Sequence, residues 1–281
     1  MDLAGKTAVI TGGASGIGLA TARQFASSGV NLVLGDIEEG PLQEAVESLR
    51  TSGANVIGLT CDVSKEDDVI GLREGAVSEF GTAHIVFNNA GVVGGPCVGT
   101  PKKVWDWVMG VNVDGVINGI NAFAPLFLEQ NEGHFVNTAS LAGLGGVPGT
   151  GAYCASKFAV VGISESLFHE LSLSGKNVHV SVLCPGFVST KIYDSQRNMP
   201  NDLVSFNEDP MMQLAHQIGE TVVKAGIDPA DVATAVDAAV RANKFWILPH
   251  ERVALRTTEL RLEWMKGGAP LYINLEAATK P

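Results

Sequence analysis

Basic residues are scarce in this chain: 19 lysines and arginines stand against 30 aspartates and glutamates, a net charge of −11. That deficit argues against a nucleic-acid partner, whose phosphates are gripped by clustered lysine and arginine. Cysteine is scarcer still, and Cys61, Cys97, Cys154 and Cys184 form no C-x-x-C pair. Thiol redox chemistry and zinc binding find little support, while reduced, partly buried thiols suit a cytosolic protein. None of the six histidines stands four residues from another, and no metal site is expected. No apolar run reaches the roughly 18 residues of a membrane helix. The opening Met1-Asp2-Leu3-Ala4-Gly5-Lys6 lacks the apolar stretch of a signal peptide. A cytoplasmic location without membrane contact is the expectation. No linker rich in Pro, Gly and Ser interrupts the pattern, so residues 1–250 read as a single domain.

What the chain does contain is an alternation of two periodicities. Short β-branched runs near 6–11, 30–36, 55–61, 83–88, 133–139, 178–184 and 244–248 read as strands. Helical patterns near 16–29, 40–52, 66–80, 102–129, 152–174 and 228–242 separate them. Segments such as Val178-His179-Val180-Ser181-Val182-Leu183 are too evenly apolar for a half-solvated hairpin. They fit a parallel sheet covered on both faces, and the fold class is a doubly wound α/β layer of about seven strands.

Between the first strand and first helix lies Thr11-Gly12-Gly13-Ala14-Ser15-Gly16-Ile17-Gly18. Glycines there let the backbone approach a pyrophosphate, and the unpaired amides of the helix start attract its charge. The spacing departs from G-x-G-x-x-G, so the turn alone is weak evidence. The second strand ends in Asp36, eighteen residues after Gly18. A carboxylate there accepts hydrogen bonds from ribose hydroxyls and repels a 2′-phosphate, which favours NAD over NADP. Further along stands Tyr153-Cys154-Ala155-Ser156-Lys157, thirteen residues after Ser140. A phenol titrates near pH 10 and exchanges protons at neutral pH only if something favours its anion. Lys157, one helical turn on, shares the face of Tyr153 and supplies an ammonium. An acid/base tyrosine beside a dinucleotide cradle implies hydride transfer.

These residues, with Asp62-Val63, Asn88-Asn89-Ala90-Gly91, Asn112 and Pro185-Gly186 followed by Thr190, resemble the short-chain dehydrogenase/reductases from about Lys6 to about Leu248. The resemblance implies that Tyr153 is the general acid/base, that Ser140 holds the substrate oxygen, that Lys157 also binds the nicotinamide ribose, and that Asn112 supports a proton-relay water. It also implies a cofactor site formed by Gly12, Ser15, Gly16, Ile17, Gly18, Asp36, Ile37, Asp62, Val63, Asn89, Ala90, Gly91, Tyr153, Lys157, Pro185, Gly186, Val188 and Thr190, with Asp62 and Val63 at the adenine and Thr190 at the carboxamide. A homodimer or homotetramer built on the helices at 102–129 and 152–174 is implied as well. A hydroxyl at Ser140 that donates to a developing alkoxide is expected to contribute about 2–4 kcal/mol.

The substrate lies beyond the carboxyl ends of the strands, which places Val92–Val98, Leu141–Gly151 and a lid at 187–226 around it. Val92, Val93, Leu141, Leu144, Val147, Phe187 and Ile192 are apolar, and Tyr193, Met199, Leu203, Phe206, Met211 and Met212 follow in the lid. Lys191 and Arg197 stand there singly, with no arginine pair for a carboxylate or phosphate. A neutral, hydrophobic or aromatic secondary alcohol or its ketone is the expected substrate; the competing reading is that these groups pack the lid against the body. Gly110-Val111-Asn112, Gly115–Gly119 and Ile247-Leu248-Pro249 are similar to a branch of the family that oxidises benzylic alcohols in lignin-derived aromatic dimers, while other branches accept steroids or cyclic ketones. Residues 251–281 form an extension in which Glu251–Lys266 suits a helix with Leu255, Leu262 and Met265 on one side. Two alternatives stay open: an NADP-linked reductase, and a binding protein that senses NAD(H) without turnover.

Overall fold

The computed structural model describes residues 1–203, 219–271 and 279–280. Seven strands, β1 (Thr7–Thr11), β2 (Asn31–Asp36), β3 (Val56–Thr60), β4 (Ile85–Asn88), β5 (Gly133–Thr138), β6 (Val178–Leu183) and β7 (Trp246–Ile247), form one sheet in the order β3-β2-β1-β4-β5-β6-β7. Every pairing is parallel. The chain therefore runs outward from β1 to β3, returns beside β1 at β4, and runs outward again. Where the order reverses, the loops leaving β1 and β4 part and open a crevice at the carboxyl ends of the strands.

Alternation along each strand divides the core in two. Ala8, Ile10, Leu32 and Leu34 face helices α1 (Gly16–Ser27) and α2 (Glu39–Thr51) together with α7 (Pro229–Ala242). Val9, Val33, Val86 and Phe135 face α3 (Glu66–Phe80), α5 (Gly115–Gln130) and α6 (Gly151–Ser174). The fully buried Phe123, Phe127 and Phe135 stack in this second layer, with ring centroids 5.9 and 4.9 Å apart. Truncating any of them to alanine costs about 3–5 kcal/mol.

The helix read at 102–129 is interrupted. Helix α4 (Lys102–Met109) passes into a π-turn, Gly110–Asp114, before α5 continues. Such turns insert one extra residue and re-aim a side chain, here Asn112. The stretch Lys102–Gln130 is long and apolar enough by composition to cross a membrane. A search for an unbroken apolar run passes over it because Asn112, Asp114 and Asn118 intervene. Its buried residues, however, pack on α3, α6 and the sheet as a core helix does.

Beyond β7, helix α8 (Glu251–Met265) ends at Gly267, whose φ is +91°. The apolar side read from the sequence faces outward: Leu255, Leu262 and Met265 are exposed. Val253, Ala254 and Thr257 are buried instead, the first two against Leu141, because α8 meets the body through its first turns.

Candidate active site

The glycine-rich turn is shaped by close approach. Gly12 has φ +63°, and a Cβ on Gly18 would lie 2.1 Å from the Gly12 carbonyl oxygen, so only glycine lets the turn close onto α1. Helix α1 begins without a side-chain cap on Ser15 and without an acidic residue in its first turn. Its first amides border the cleft with Gly12, Gly16 and Ile17, an arrangement that fits a phosphate. The Ala14 N–H donates to Asp36 Oδ2 at 3.0 Å and the Glu38 N–H to Asp36 Oδ1 at 3.1 Å. Burial pushes the Asp36 carboxyl up, and these backbone donors oppose the shift. Asp36 thus braces the turn while still bordering the cleft with Ile37, Asp62 and Val63. The Asp62 carboxylate is occupied locally, by the Ser64 N–H and hydroxyl at 3.1 and 2.7 Å.

The β4 loop is tied to the same turn. Thr11 Oγ1 accepts from the N–H groups of Asn89 and Ala90 at 2.9 and 3.1 Å, and Asn89 Nδ2 donates to the Thr11 carbonyl at 3.0 Å. Asn112 behaves similarly toward the next residues. Its Nδ2 donates to the Val92 carbonyl and to Ser156 Oγ, both at 2.9 Å, and its Oδ1 accepts from the Val92 N–H at 2.8 Å. The side chain expected at a relay water is fully buried and spends both N–H groups on this clamp.

Ser140, Tyr153 and Lys157 converge at the floor of the cleft. Ser140 Oγ accepts from the Ala142 N–H at 3.2 Å and donates to the Pro185 carbonyl at 3.3 Å. The turn after it, Leu141–Gly143, sits against the α6 backbone: a Cβ on Gly143 would lie 2.6 Å from the Lys157 carbonyl oxygen. That contact brings Ser140 within hydrogen-bonding reach of the Tyr153 phenol. Lys157 Nζ lies 5.5 Å from the Tyr153 ring centroid and donates to the Thr138 carbonyl at 2.8 Å.

Electrostatics set burial against the ammonium. Burial pushes the Tyr153 phenol well above its ordinary value, Ser140 opposing, and burial lowers Lys157 to about 8. The ammonium is beside the phenol, as the spacing requires, but its hydrogen bond goes to Thr138. Desolvation outweighs it, and the protonated phenol is the stable form.

The segment expected to form a lid leaves the body at Val188, which pairs with Ile227, while the Ile227 N–H donates to the Phe187 carbonyl at 3.1 Å. A 3₁₀ segment, Ile192–Asn198, then crosses the cleft. Ser195 Oγ accepts from the Val93 N–H at 3.0 Å, Arg197 Nε donates to Glu38 Oε1 at 2.9 Å, and Lys103 pairs with Asp202 at 2.7 Å. Of the expected substrate residues, Val92, Val93, Leu141, Val147, Phe187, Ile192 and Tyr193 border the cleft, whose volume is about 450 Å³. Met199 and Leu203 instead pack on Val104 and Trp107, and Leu144 packs toward α8. For those three the packing alternative holds. Phe206, Met211 and Met212 lie outside the described residues. Trp107, Thr150, Ser195 and Glu38 also border the cleft. No local motif marked them, since each reaches it through tertiary packing. Pro185, Gly186, Val188 and Thr190 form the opposite wall, with Thr190 against Gly16. Asn89, Ala90, Gly91 and Lys157 complete the set of cleft residues named from the sequence.

Residues 6–201 match the family model for short chain dehydrogenases. The chain belongs to the short-chain dehydrogenase/reductase family. A CLA biosynthesis dehydrogenase/reductase of Lactiplantibacillus plantarum is 32% identical over 256 residues, covering 89% of each chain. A 3beta-hydroxysteroid dehydrogenase 2 of Eggerthella lenta is 38% identical over 193 residues, 68% of this chain and 74% of that protein. The crystal structure of a short chain dehydrogenase/reductase from Burkholderia phymatum in complex with NAD superposes with a TM-score of 0.92 at 42% identity, over 97% of this chain and 98% of that one. As a short-chain dehydrogenase/reductase the protein is an oxidoreductase of a family acting on CH–OH groups.

Proposed function

We propose that the protein is an NAD(H)-dependent dehydrogenase that interconverts a neutral, hydrophobic, aromatic or cyclic secondary alcohol and its ketone. The observation that carries this reading is the meeting of Ser140, Tyr153 and Lys157 at one end of a cleft whose other end holds the glycine turn and Asp36. Bound nicotinamide supplies the hydride acceptor or donor. Gly12, Ser15, Gly16, Ile17 and Gly18 hold the pyrophosphate, Asp36 the adenosine ribose, Ile37, Asp62 and Val63 the adenine. Asn89, Ala90, Gly91, Pro185, Gly186, Val188 and Thr190 form the walls around the ribose and carboxamide of the nicotinamide end.

Tyr153 takes the alcohol proton in oxidation and returns it in reduction. Desolvation makes its phenol resist ionisation, so the Ser140 hydroxyl and the Lys157 ammonium each favour the transient anion where it forms. Ser140 donates to the substrate oxygen as charge develops there, a contact stronger in the transition state than in the ground state. Asn112 acts as a clamp on Val92, holding the substrate-side loop. The apolar wall of Val92, Val93, Leu141, Val147 and Phe187 supports an uncharged substrate. The hydroxysteroid dehydrogenase and the NAD-bound relative support the substrate class and coenzyme.

An NADP(H)-linked reductase is the second reading, since Arg197 borders the adenosine side. Its guanidinium is held by Glu38, and Asp36 lies near it, which leaves NAD favoured. Absorbance at about 340 nm, the reduced nicotinamide band used to follow this chemistry, tests the proposal with alcohols, ketones and both coenzymes. Turnover of bulky uncharged alcohols with NAD is expected, and Tyr153→Phe should lose about 10²–10⁴-fold in kcat while still binding NAD. Better turnover of sugar phosphates, or full activity in Tyr153→Phe, would overturn it.

A further inference from the structure

The Ser140 hydroxyl points at a peptide that is itself held from behind. The Pro185 carbonyl accepts from Ser140 Oγ at 3.3 Å and from the Leu141 N–H at 2.9 Å. The N–H of that same peptide unit belongs to Gly186, and it donates to His250 Nδ1 at 3.0 Å. A peptide unit is planar and rigid, so a hold on its N–H fixes the direction of its carbonyl. Hydrogen bonds on its two ends also polarise one another.

His250 lies between β7 and α8, fully buried. Burial lowers its pKa, which keeps the ring neutral and Nδ1 free to accept. With Nδ1 accepting, the ring proton is on Nε2, which is buried with no partner among the described residues. A phenylalanine would fill the same space without stranding a polar atom, so what imidazole adds here is polar contact with the 186–187 backbone, the bond to Gly186 foremost. Three and four residues on, Val253 and Ala254 pack on Leu141, so the segment from 250 to 254 touches the Ser140 turn and the peptide facing it.

We propose that His250 is a positioning residue: it locks the Pro185–Gly186 peptide, whose carbonyl holds the Ser140 oxygen in the place from which its single proton turns to the substrate oxygen. This rests on the reading of Ser140 given above. It assigns a task to the turn between β7 and α8, outside the residues matched by the family model.

The test uses the full chain with His250→Phe, His250→Asn, Ser140→Ala and the double variant His250→Phe/Ser140→Ala. Oδ1 of asparagine can stand where Nδ1 stands, whereas phenylalanine has no acceptor. His250→Phe should lower kcat by about 10- to 100-fold, the scale of an ångström-sized misplacement, with the KM for NAD within about twofold. His250→Asn should recover most of that loss. The double variant should be slower than Ser140→Ala by no more than about twofold, because the two residues act through one hydroxyl. Amide exchange read by mass spectrometry or NMR should show the Gly186 N–H protected in the wild type and in His250→Asn, and exposed in His250→Phe. Additive losses in the double variant, equal losses in the two His250 variants, or fast Gly186 exchange in the wild type overturn the proposal. The wild-type exchange measurement decides even where His250→Phe does not fold. Full turnover by Tyr153→Phe would defeat the acid/base reading, whereas its loss alongside additive His250 effects defeats this inference alone.

Discussion

The two ends of the cleft, one proposed for the coenzyme and one for the substrate, are built by different means. At the coenzyme end the working groups are backbone amides and a carboxylate drawn from a short stretch, with Ala14 and Asp36 only 22 residues apart. At the other end the fastenings span the chain: Ser195 to Val93 over 102 residues and Arg261 to the Leu144 carbonyl over 117. A backbone cradle needs only glycine at the right dihedrals. A pocket shaped by side chains needs distant segments to arrive together, and each is free to differ without disturbing the cradle.

Two glycine variants should separate the ends most sharply. In Gly143→Ala the new Cβ meets the Lys157 carbonyl at 2.6 Å, backbone against backbone, so the Ser140 turn must move. A fall in kcat of about 10²-fold with little change in NAD affinity is expected in steady-state assays. In Gly18→Ala the clash is with the Gly12 carbonyl at 2.1 Å, and fluorescence titration should show NADH affinity falling by about 10-fold or more, an estimate from the glycine's role at the phosphates. If both variants changed the same parameter, the division between the ends would not stand.

Asp36→Asn comes next in size. It removes a charge from the adenosine end but leaves an oxygen for the Ala14 N–H. The ratio of kcat/KM for NAD over NADP should fall by about 10-fold, the scale of one charge-assisted hydrogen bond lost and one repulsion relieved. An unchanged ratio would assign Asp36 to bracing the turn alone. Smaller still is Arg197→Met, which frees the lid from Glu38. Exposed ion pairs contribute about 0.2–1 kcal/mol, so coenzyme release measured by stopped flow should quicken about two- to fivefold, and added salt should shrink the difference.

The subtlest test concerns Lys157. Burial brings its pKa from 10.5 to about 8. Between those values the unfolded chain retains a proton that the native chain has released, so native stability gains as pH rises above about 8 and has no such gain below it. Urea midpoints from pH 7 to 9 should therefore shift in favour of the wild type over Lys157→Met. A constant difference would mean that the ammonium is well solvated.

The fold was legible because its signals are local. Strands from β1 to β6 begin and end within two residues of the pattern read from the chain, since β-branched runs and glycine turns declare themselves over five or six positions. Helix α4 and α5 were read as one because nothing in the sequence of Gly110–Asp114 distinguishes a π-turn from an α-turn. The side by which α8 meets the body carried no such signal. Leu255 and Leu262 form the stronger stripe, yet contact with Leu141 selects Val253 and Ala254. In the cleft, Tyr153 and Lys157 were legible as an i,i+4 pair, but the hydrogen bond that draws Lys157 to Thr138 crosses from helix to strand. His250, Trp107 and the Arg197–Glu38 pair carried no motif at all.

Because Val188 and Ile227 lie side by side, everything between them departs from and returns to a single point on the scaffold. Residues can be added or removed there at small entropic cost, each doubling of a flexible loop adding only about 0.6 kcal/mol. The segment is in that sense a cassette. Exchanging the part beyond Thr190 for the equivalent stretch of a relative offers a route to a new substrate that leaves Ser140, Tyr153, Lys157 and the wall at Thr190 in place.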